Sequence, residues 1–118
     1  MQRRTTRCGV TAPPVPGAYH GGVSRAQARI DLDAFAHNLS VLRSAAPHSA
    51  QMAVVKADAY GHGLLPMARA AREAGAEWLG AALFDEALEL RAAGDTGPVL
   101  TWLAAPEDPW AEVVESGI

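Results

Sequence analysis

The stretch MAVVKADAYGHG, residues 52–63, decides the fold of this chain. It opens with an apolar run at 52–55, which is typical of strands that are buried on both faces in parallel sheets. The two glycines within 57–63 predict a loop. A helix is predicted at 64–74, with Gly75 placed where a helix ends on a left-handed glycine. The order of strand, loop and helix indicates a βα unit.

Two more units of the same kind follow. Apolar runs at 78–82 and 99–103 predict two further buried strands, and each is followed by a helical pattern. Asp108 is the predicted N-cap of the last helix, with Pro109 in its first turn. Strands that alternate with helices in this way predict parallel βαβ architecture.

A strand and a helix precede these units. The alternation at 28–32 predicts a half-buried strand, and Asp33 is the predicted N-cap of the helix that follows. The fold class is therefore α/β, with three βα units after a strand and a helix, and this order fits both a doubly wound sheet and a (β/α)₈ barrel. Because a doubly wound sheet has five or more strands and a closed barrel needs about 250 residues, the 118 residues predict the N-terminal part of a larger domain, poorly stable by itself.

Composition divides the chain and excludes several kinds of site. Residues 1–24 are rich in proline and glycine and predict a flexible N-terminal tail, whereas residues 25–118 form the predicted α/β segment. The single cysteine, Cys8, excludes an internal disulfide framework and a cysteine-cluster zinc site. Neither His37 nor His48 has acidic or cysteine neighbours at ligand spacing, so we expect no metal site.

The charge and the apolar runs also bear on partners and location. A formal net charge of −3 argues against general nucleic-acid binding, which shows as a basic face. No apolar run follows the basic start of the chain as a signal peptide requires, and none reaches the roughly 18 residues of a membrane span. We therefore expect a cytoplasmic protein without a membrane partner.

Lys56 is the single lysine among the ten basic residues. It directly follows the first buried strand of the series, at the end where α/β sheets and barrels carry their chemistry. A partly buried amine there favours the neutral nucleophile, which can form a Schiff base with an aldehyde. The alternative is a surface lysine just past a strand, and position alone does not separate the two.

The loop after Lys56 supplies further candidates. Tyr60 lies four residues on, followed by glycines that allow close approach and by a helix N-terminus that can bind an anion. A tyrosine hydroxyl there can donate to a phosphate oxygen, although a packed aromatic side chain is the alternative. We expect a structural role for His62 and a loop-capping role for Asp58. Asp85 and Glu86 are expected to stabilise the first turn of the third helix through its dipole.

The segment AVVKADAYGHG, residues 53–63, resembles the pyridoxal-phosphate signature of alanine racemases. The segments ARIDLDAFAHNLSVLR, residues 28–43, and WLGAALFDEALELRAAG, residues 78–94, resemble the same family's opening strand and helix and its next strand and helix. The resemblance covers residues 25–118 and leaves the tail before them without a counterpart.

The resemblance implies a fold and an activity. Members of the family join an N-terminal (β/α)₈ barrel to a C-terminal β domain, so the resemblance implies that residues 25–118 are a partial (β/α)₈ barrel, its first three βα units preceded by a strand and a helix. Members act as homodimers and interconvert L- and D-alanine, which supplies D-alanine for cell-wall peptidoglycan. Lys56 matches the lysine that binds pyridoxal phosphate covalently and acts as the base for the D-isomer, and Tyr60 matches a residue that hydrogen-bonds the cofactor phosphate. The opposite-face tyrosine and the other cofactor residues match positions beyond Ile118, so the 118-residue chain is expected to be inactive alone.

Two other interpretations stay open at this point. One is a single-domain pyridoxal-phosphate homeostasis protein, which binds the cofactor at the same lysine position without racemising an amino acid. The other is a non-enzymatic α/β fragment whose motif is vestigial.

Overall fold

A computed structural model describes residues 5–7 and 28–118 of the chain. Its elements, in chain order, are β1 (Thr5–Arg7), β2 (Arg29–Asp31), α1 (Leu32–Ala45), β3 (Met52–Val54), α2 (Lys56–Gly61), α3 (Leu64–Glu73), β4 (Trp78–Ala81), α4 (Phe84–Ala92), β5 (Val99–Thr101) and α5 (Trp110–Glu115).

The strands β3, β4 and β5 form one parallel sheet in that order. Ala53 is paired with Leu79, and Leu79 in turn with Val99, so each strand lies beside the next one in the sequence. This neighbour-by-neighbour parallel order is that of consecutive strands in a (β/α)₈ barrel. The predicted α/β class with three βα units after a strand and a helix is confirmed.

Helices cover one face of this sheet. Leu79 and Ala81 in β4 have no exposed surface, and they pack in one apolar cluster with Ala71 of α3 and Leu90 of α4. Many of the buried side chains are alanines, so the helices approach the sheet closely. Gly75, at φ +91°, ends α3 as the sequence predicts.

The other face of the sheet is uncovered by the described residues. Val54 is 40% exposed and Leu100 is 45% exposed, although both lie in strands. The prediction that the apolar runs are buried on both faces is therefore wrong for the described part of the chain. The reason is geometric: successive side chains of a strand point to opposite faces, and the helices of this segment cover only one of them.

Arg72 and Arg91 form a hydrogen-bond network at the N-terminal ends of β4 and β5. Asp95 accepts hydrogen bonds from Arg72 Nε at 2.8 Å and from Arg91 Nη1 at 3.1 Å. Arg72 also donates to the carbonyl oxygens of Glu77, at 2.7 Å, and Pro98, at 2.9 Å, which directly precede β4 and β5. These contacts fix the N-terminal ends of the strands and so set the register in which their carboxyl ends meet.

The beginning of the chain departs from the prediction. Thr5–Arg7 forms a strand that pairs antiparallel with β2, with Thr6 opposite Ile30. The segment 1–24, expected to be a flexible tail, thus includes one short strand, and its description as a tail stays a prediction. The remainder of 1–24, including Cys8, lies outside the described residues, and the boundary between residues 24 and 25 stays a prediction.

Two predicted helix caps are also misplaced. Asp31, and not Asp33, is the N-cap of α1, and its carboxylate accepts a hydrogen bond from Ala34 N–H at 3.0 Å. Pro109, and not Asp108, occupies the N-cap position of α5. The Asp108 carboxylate instead accepts a hydrogen bond from Ala105 N–H at 2.6 Å, within the loop before the helix.

Candidate functional site

The carboxyl ends of the three parallel strands bring separate loops together. Val55 N–H donates to the Gly80 carbonyl oxygen at 2.8 Å, and Leu103 N–H donates to the Ala82 carbonyl oxygen at 2.9 Å. Each strand is thus held to its neighbour up to the residue where its loop begins. Lys56 leaves the sheet at this edge, as its position in the sequence predicts.

The Lys56 amine lies near two aromatic rings. Its nitrogen is 5.8 Å from the centre of the Tyr60 ring and 5.9 Å from the centre of the Trp102 ring. Both distances fall within the range of cation–π attraction. The structure therefore brings together the two residues singled out in the sequence, Lys56 and Tyr60, and adds a third.

Trp102 is a site residue that was not singled out from the sequence. It directly follows β5, so the strand-end rule that selected Lys56 also applies to it. Its ring lies over Gly80 on the uncovered face, where a Cβ atom at Gly80 would come within 3.2 Å of the indole. The glycine thus leaves room for the ring beside the lysine.

The segment after Lys56 is a turn of left-handed helix. Ala57, Asp58, Ala59 and Tyr60 have φ between 52° and 56° and ψ between 36° and 55°. The predicted loop is thus a regular but unfavourable conformation, since a residue with a Cβ atom in left-handed geometry costs roughly 1–2 kcal/mol. Such strain persists only where the surroundings impose it, and it concentrates at functional sites.

Glu86 of α4 contacts the beginning of this turn. Its Oε1 accepts a hydrogen bond from Ala57 N–H at 2.5 Å, and its Oε2 accepts two from Ala82 and Leu83 N–H at 2.9 and 3.2 Å. Glu86 and Asp85 do lie in the first turn of α4, as predicted. The contact of Glu86 with a segment 29 residues away in the chain was missed.

The end of the turn is fixed by its own side chains. The Asp58 carboxylate accepts a hydrogen bond from Leu64 N–H at 2.6 Å, which bears out its predicted capping role. The same contact corrects the predicted anion site, because a carboxylate already occupies the N-terminus of α3. His62 Nδ1 lies 2.9 Å from the Ala59 carbonyl oxygen, in agreement with the expected structural role.

A cavity of about 380 Å³ is lined in part by Tyr60. Arg29, Phe35 and Met67 contribute to its walls together with Tyr60 and His62. Tyr60 is 62% exposed, so its hydroxyl is accessible to a small molecule. The site thus combines a primary amine, a phenol and an indole at an open strand edge.

Two kinds of feature are absent from the part of the chain that the structure describes. Residues 5–7 and 28–118 contain no group of three or more histidine, cysteine or acidic side chains placed to hold a metal ion. Within the same residues, no helix has the length and apolarity needed to cross a membrane.

Comparisons with known proteins agree on one family. The family described as "Alanine racemase, N-terminal domain" matches residues 30–118. The alanine racemase of Thermobifida fusca is 53% identical over 95 residues, which cover 80% of this chain and 25% of that protein. The chain therefore spans about a quarter of the length of the curated relatives it matches.

Solved structures lead to the same family. The crystal structure of alanine racemase from Streptomyces lavendulae superposes with a TM-score of 0.71 at 59% identity, covering 72% of this chain and 22% of that one. A histidine racemase from Leuconostoc mesenteroides superposes with a TM-score of 0.54 at 42% identity, covering 58% of this chain and 18% of that one. On the match over residues 30–118, this chain belongs to the alanine racemase family, where it corresponds to part of the N-terminal domain.

Proposed function

We propose that this chain provides the lysine-bearing part of a pyridoxal-phosphate-dependent alanine racemase. The observation that carries the proposal is the position of the Lys56 amine, which lies at the carboxyl edge of a parallel sheet within 6 Å of the rings of both Tyr60 and Trp102. The proposed catalytic residue is Lys56, and the proposed cofactor-binding residues are Lys56 and Tyr60.

The side chains present fit this cofactor. An aldehyde needs a primary amine, and Lys56 offers one at the open strand edge. A phosphate needs hydrogen-bond donors, and the exposed Tyr60 hydroxyl is one. The Trp102 indole provides an apolar wall beside the amine. Lys56 would hold the cofactor covalently, and Tyr60 would donate to its phosphate.

The proposed chemistry assigns one proton transfer to this chain. Pyridoxal phosphate, when bound, supplies an electron sink that makes the α-proton of an amino acid removable. The Lys56 amine would accept the α-proton from one face of the α-carbon and become an ammonium. In the reverse direction this ammonium would donate a proton to the same face, after the opposite-face group has removed the other isomer's proton. By resemblance, this is the face that yields the D-isomer.

Racemisation also requires a second group on the opposite face of the α-carbon. By resemblance, a tyrosine of the partner subunit's C-terminal β domain performs this role, so we propose a homodimer that acts on alanine. The same resemblance supports a cytoplasmic role in the supply of D-alanine for peptidoglycan. Residues 25–118 would form the barrel segment and 1–24 a separate N-terminal segment, and the 118-residue chain alone would be inactive.

The first experiment tests cofactor attachment on the chain itself. The chain is incubated with pyridoxal phosphate, reduced with borohydride and digested, and the modified residue is mapped by mass spectrometry. The expected product carries the adduct at Lys56, and the Lys56→Arg variant carries none there. Because the N-terminal amine is the only other primary amine, an adduct confined to it would overturn the assignment.

The second experiment places the segment in a complete enzyme. In this chimera, residues 30–118 replace the matched segment of the T. fusca alanine racemase. We expect the chimera to convert L-alanine to D-alanine, and Lys56→Ala to abolish the conversion. An adduct at Lys56 without racemisation would instead favour the cofactor-binding alternative. Assays with L-histidine test the substrate assignment, because a histidine racemase is among the similar structures.

A further inference from the structure

Glu86 is the acidic side chain with the most extensive contacts at the carboxyl edge of the sheet. It lies on α4, is half-buried and accepts hydrogen bonds from the backbone of two different βα loops. Ala57 N–H belongs to the loop after β3, whereas Ala82 and Leu83 N–H belong to the loop after β4. The carboxylate is therefore a bridge between neighbouring loops as well as a group at a helix N-terminus.

We propose that Glu86 is the positioning residue that holds the left-handed turn α2 and thereby fixes where the Lys56 amine and the Tyr60 ring lie. The positioning of a reactive lysine rests on the proposed function, whereas the holding of the turn does not. Glu86 acts through the backbone at Ala57, so its role is positioning.

The first step of the argument is the location of the hydrogen bond. Ala57 N–H is part of the peptide unit that joins Lys56 to Ala57. A hydrogen bond of 2.5 Å to this N–H fixes the plane of that peptide unit, and with it the direction in which the chain leaves β3. The Lys56 side chain starts from the same unit.

The second step is the strain in the turn. Four consecutive non-glycine residues, from Ala57 to Tyr60, adopt left-handed geometry. At roughly 1–2 kcal/mol for each residue, this conformation needs external support. Asp58 and His62 support its end through Leu64 N–H and the Ala59 carbonyl oxygen. At the start of the turn, Ala57 N–H donates its hydrogen bond to the Glu86 carboxylate.

The third step is the chemistry of the carboxylate. An ionised glutamate is acceptor-only, so its two oxygens can serve N–H groups of both loops at once. A glutamine replaces one oxygen with an NH₂ group that cannot accept. It can therefore serve one loop but not both, and the bridge is lost without a change in side-chain size.

The adjacent Asp85 provides a matched control. It lies in the same first turn of α4 and carries the same charge, so Asp85→Asn removes the same interaction with the helix dipole. Asp85 is exposed, and its substitution leaves the Glu86 bridge in place. Any difference between Glu86→Gln and Asp85→Asn in the exchange rate of the turn or in kcat therefore measures the effect of losing the Glu86 bridge.

The test begins with hydrogen–deuterium exchange of the chimera, followed on peptides that contain residues 57–63. Loss of a hydrogen bond to a charged group predicts about tenfold faster exchange in Glu86→Gln, with no change in Asp85→Asn. Exchange in β3 and β4 reports whether the variant is folded. Glu86→Asp, one methylene shorter, serves as the milder variant and should give an intermediate rate.

The second readout concerns Lys56. With activity normalised to the amount of borohydride-trapped adduct at Lys56, we expect Glu86→Gln to lower kcat about tenfold and to leave KM for alanine nearly unchanged, because a displaced base affects the chemical step. A purely structural role would reduce the folded fraction and leave the normalised kcat as it is.

The outcomes separate the two proposals. Equal exchange of residues 57–63 in Glu86→Gln and Asp85→Asn would overturn the role of Glu86, whatever the cofactor result. Faster exchange in Glu86→Gln with an unchanged normalised kcat would overturn the positioning of Lys56. If the parent chimera formed no adduct at Lys56, the proposed function would fail, and the exchange data would still decide whether Glu86 holds the turn.

Discussion

The carboxylate of Asp58 accepts a hydrogen bond from Leu64 N–H at 2.6 Å, and its backbone carbonyl oxygen accepts one from Gly63 N–H at 2.9 Å. One residue of the left-handed turn thus secures the beginning of α3 with both its side chain and its backbone. Since the turn also carries Tyr60, the position of this aromatic ring depends on the helix behind it.

The Asp58 side chain gives the first prediction. Asp58→Ala removes the acceptor of Leu64 N–H and should lower the free energy of unfolding of the chain by about 1 kcal/mol, the usual cost of a lost N-terminal cap. Asp58→Asn keeps one acceptor oxygen and tolerates positive φ, so its loss should be a few tenths of a kcal/mol. Urea titration followed by circular dichroism measures both. Equal losses would contradict a specific capping role.

The left-handed turn gives a prediction with an unusual sign. Ala57→Gly relieves the steric penalty at φ 53° and should raise the free energy of unfolding by about 0.5–1 kcal/mol. Ala34→Gly is the matched control in the ordinary helix α1, where the same change should lower it by about 1 kcal/mol. Urea titration of both variants gives the two signs. A lower free energy of unfolding in both variants would show that the backbone at residue 57 is not in the left-handed conformation in solution.

Two glycines that follow helices test the packing of Arg43. Gly75 and Gly94 both have φ +91°, but a Cβ atom at Gly75 would lie 2.7 Å from Arg43 Nη1, whereas one at Gly94 would meet no atom within 4 Å. Alanine at either site should cost about 1 kcal/mol of backbone strain. We expect a larger loss in thermal stability for Gly75→Ala, because Arg43 must also move. A difference that persists in an Arg43→Ala background would refute this cause.

Lys56 can be located from the sequence, whereas the left-handed turn after it and the contact of Glu86 cannot. The strand-end rule locates Lys56 because the apolar run and the lysine are contiguous in the chain. No local pattern marks positive φ at Ala57 or Ala59, since alanine is a good helix former in the right-handed sense. The role of Glu86 is also hidden, because its partner Ala57 is 29 residues away and only the parallel order of β3 and β4 brings the two together.

The misplaced caps have a more local reason. Asp31 and Asp33 are both N-cap residue types two positions apart, and the hydrophobic pattern fits a helix that begins after either one. The structure selects Asp31, and Asp33 then lies in the first turn of α1, where an acid also interacts well with the helix dipole. Sequence alone fixes such a boundary to within a few residues.

The acid stability of the chain should depend on Glu77. The hydrogen bond from Gln51 N–H, at 2.8 Å, is the main cause that lowers the pKa of this carboxyl below its ordinary value, and Arg43 adds a smaller attraction. A depressed pKa in the folded state means that the stabilisation is present above the unfolded pKa and is lost as the pH falls through the folded value. As the pH falls through this range, the free energy of unfolding of Glu77→Gln should therefore decrease less steeply than that of the parent chain. The parent chain, measured over the same pH values, provides the reference slope.

The last prediction separates the two parts of the Tyr60 side chain. Tyr60→Phe keeps the ring near Lys56 and removes the hydroxyl, so the chimera should lose about tenfold in affinity for pyridoxal phosphate, as expected for a hydrogen bond to a charged group. Equilibrium dialysis measures the affinity of the chimera for pyridoxal phosphate. Trp102→Phe is the control, because it makes the apolar wall beside the amine smaller and leaves the Tyr60 hydroxyl in place. If Tyr60→Phe bound as tightly as the parent while Tyr60→Leu bound weakly, the ring alone would matter. The hydroxyl would then have no role in holding the phosphate.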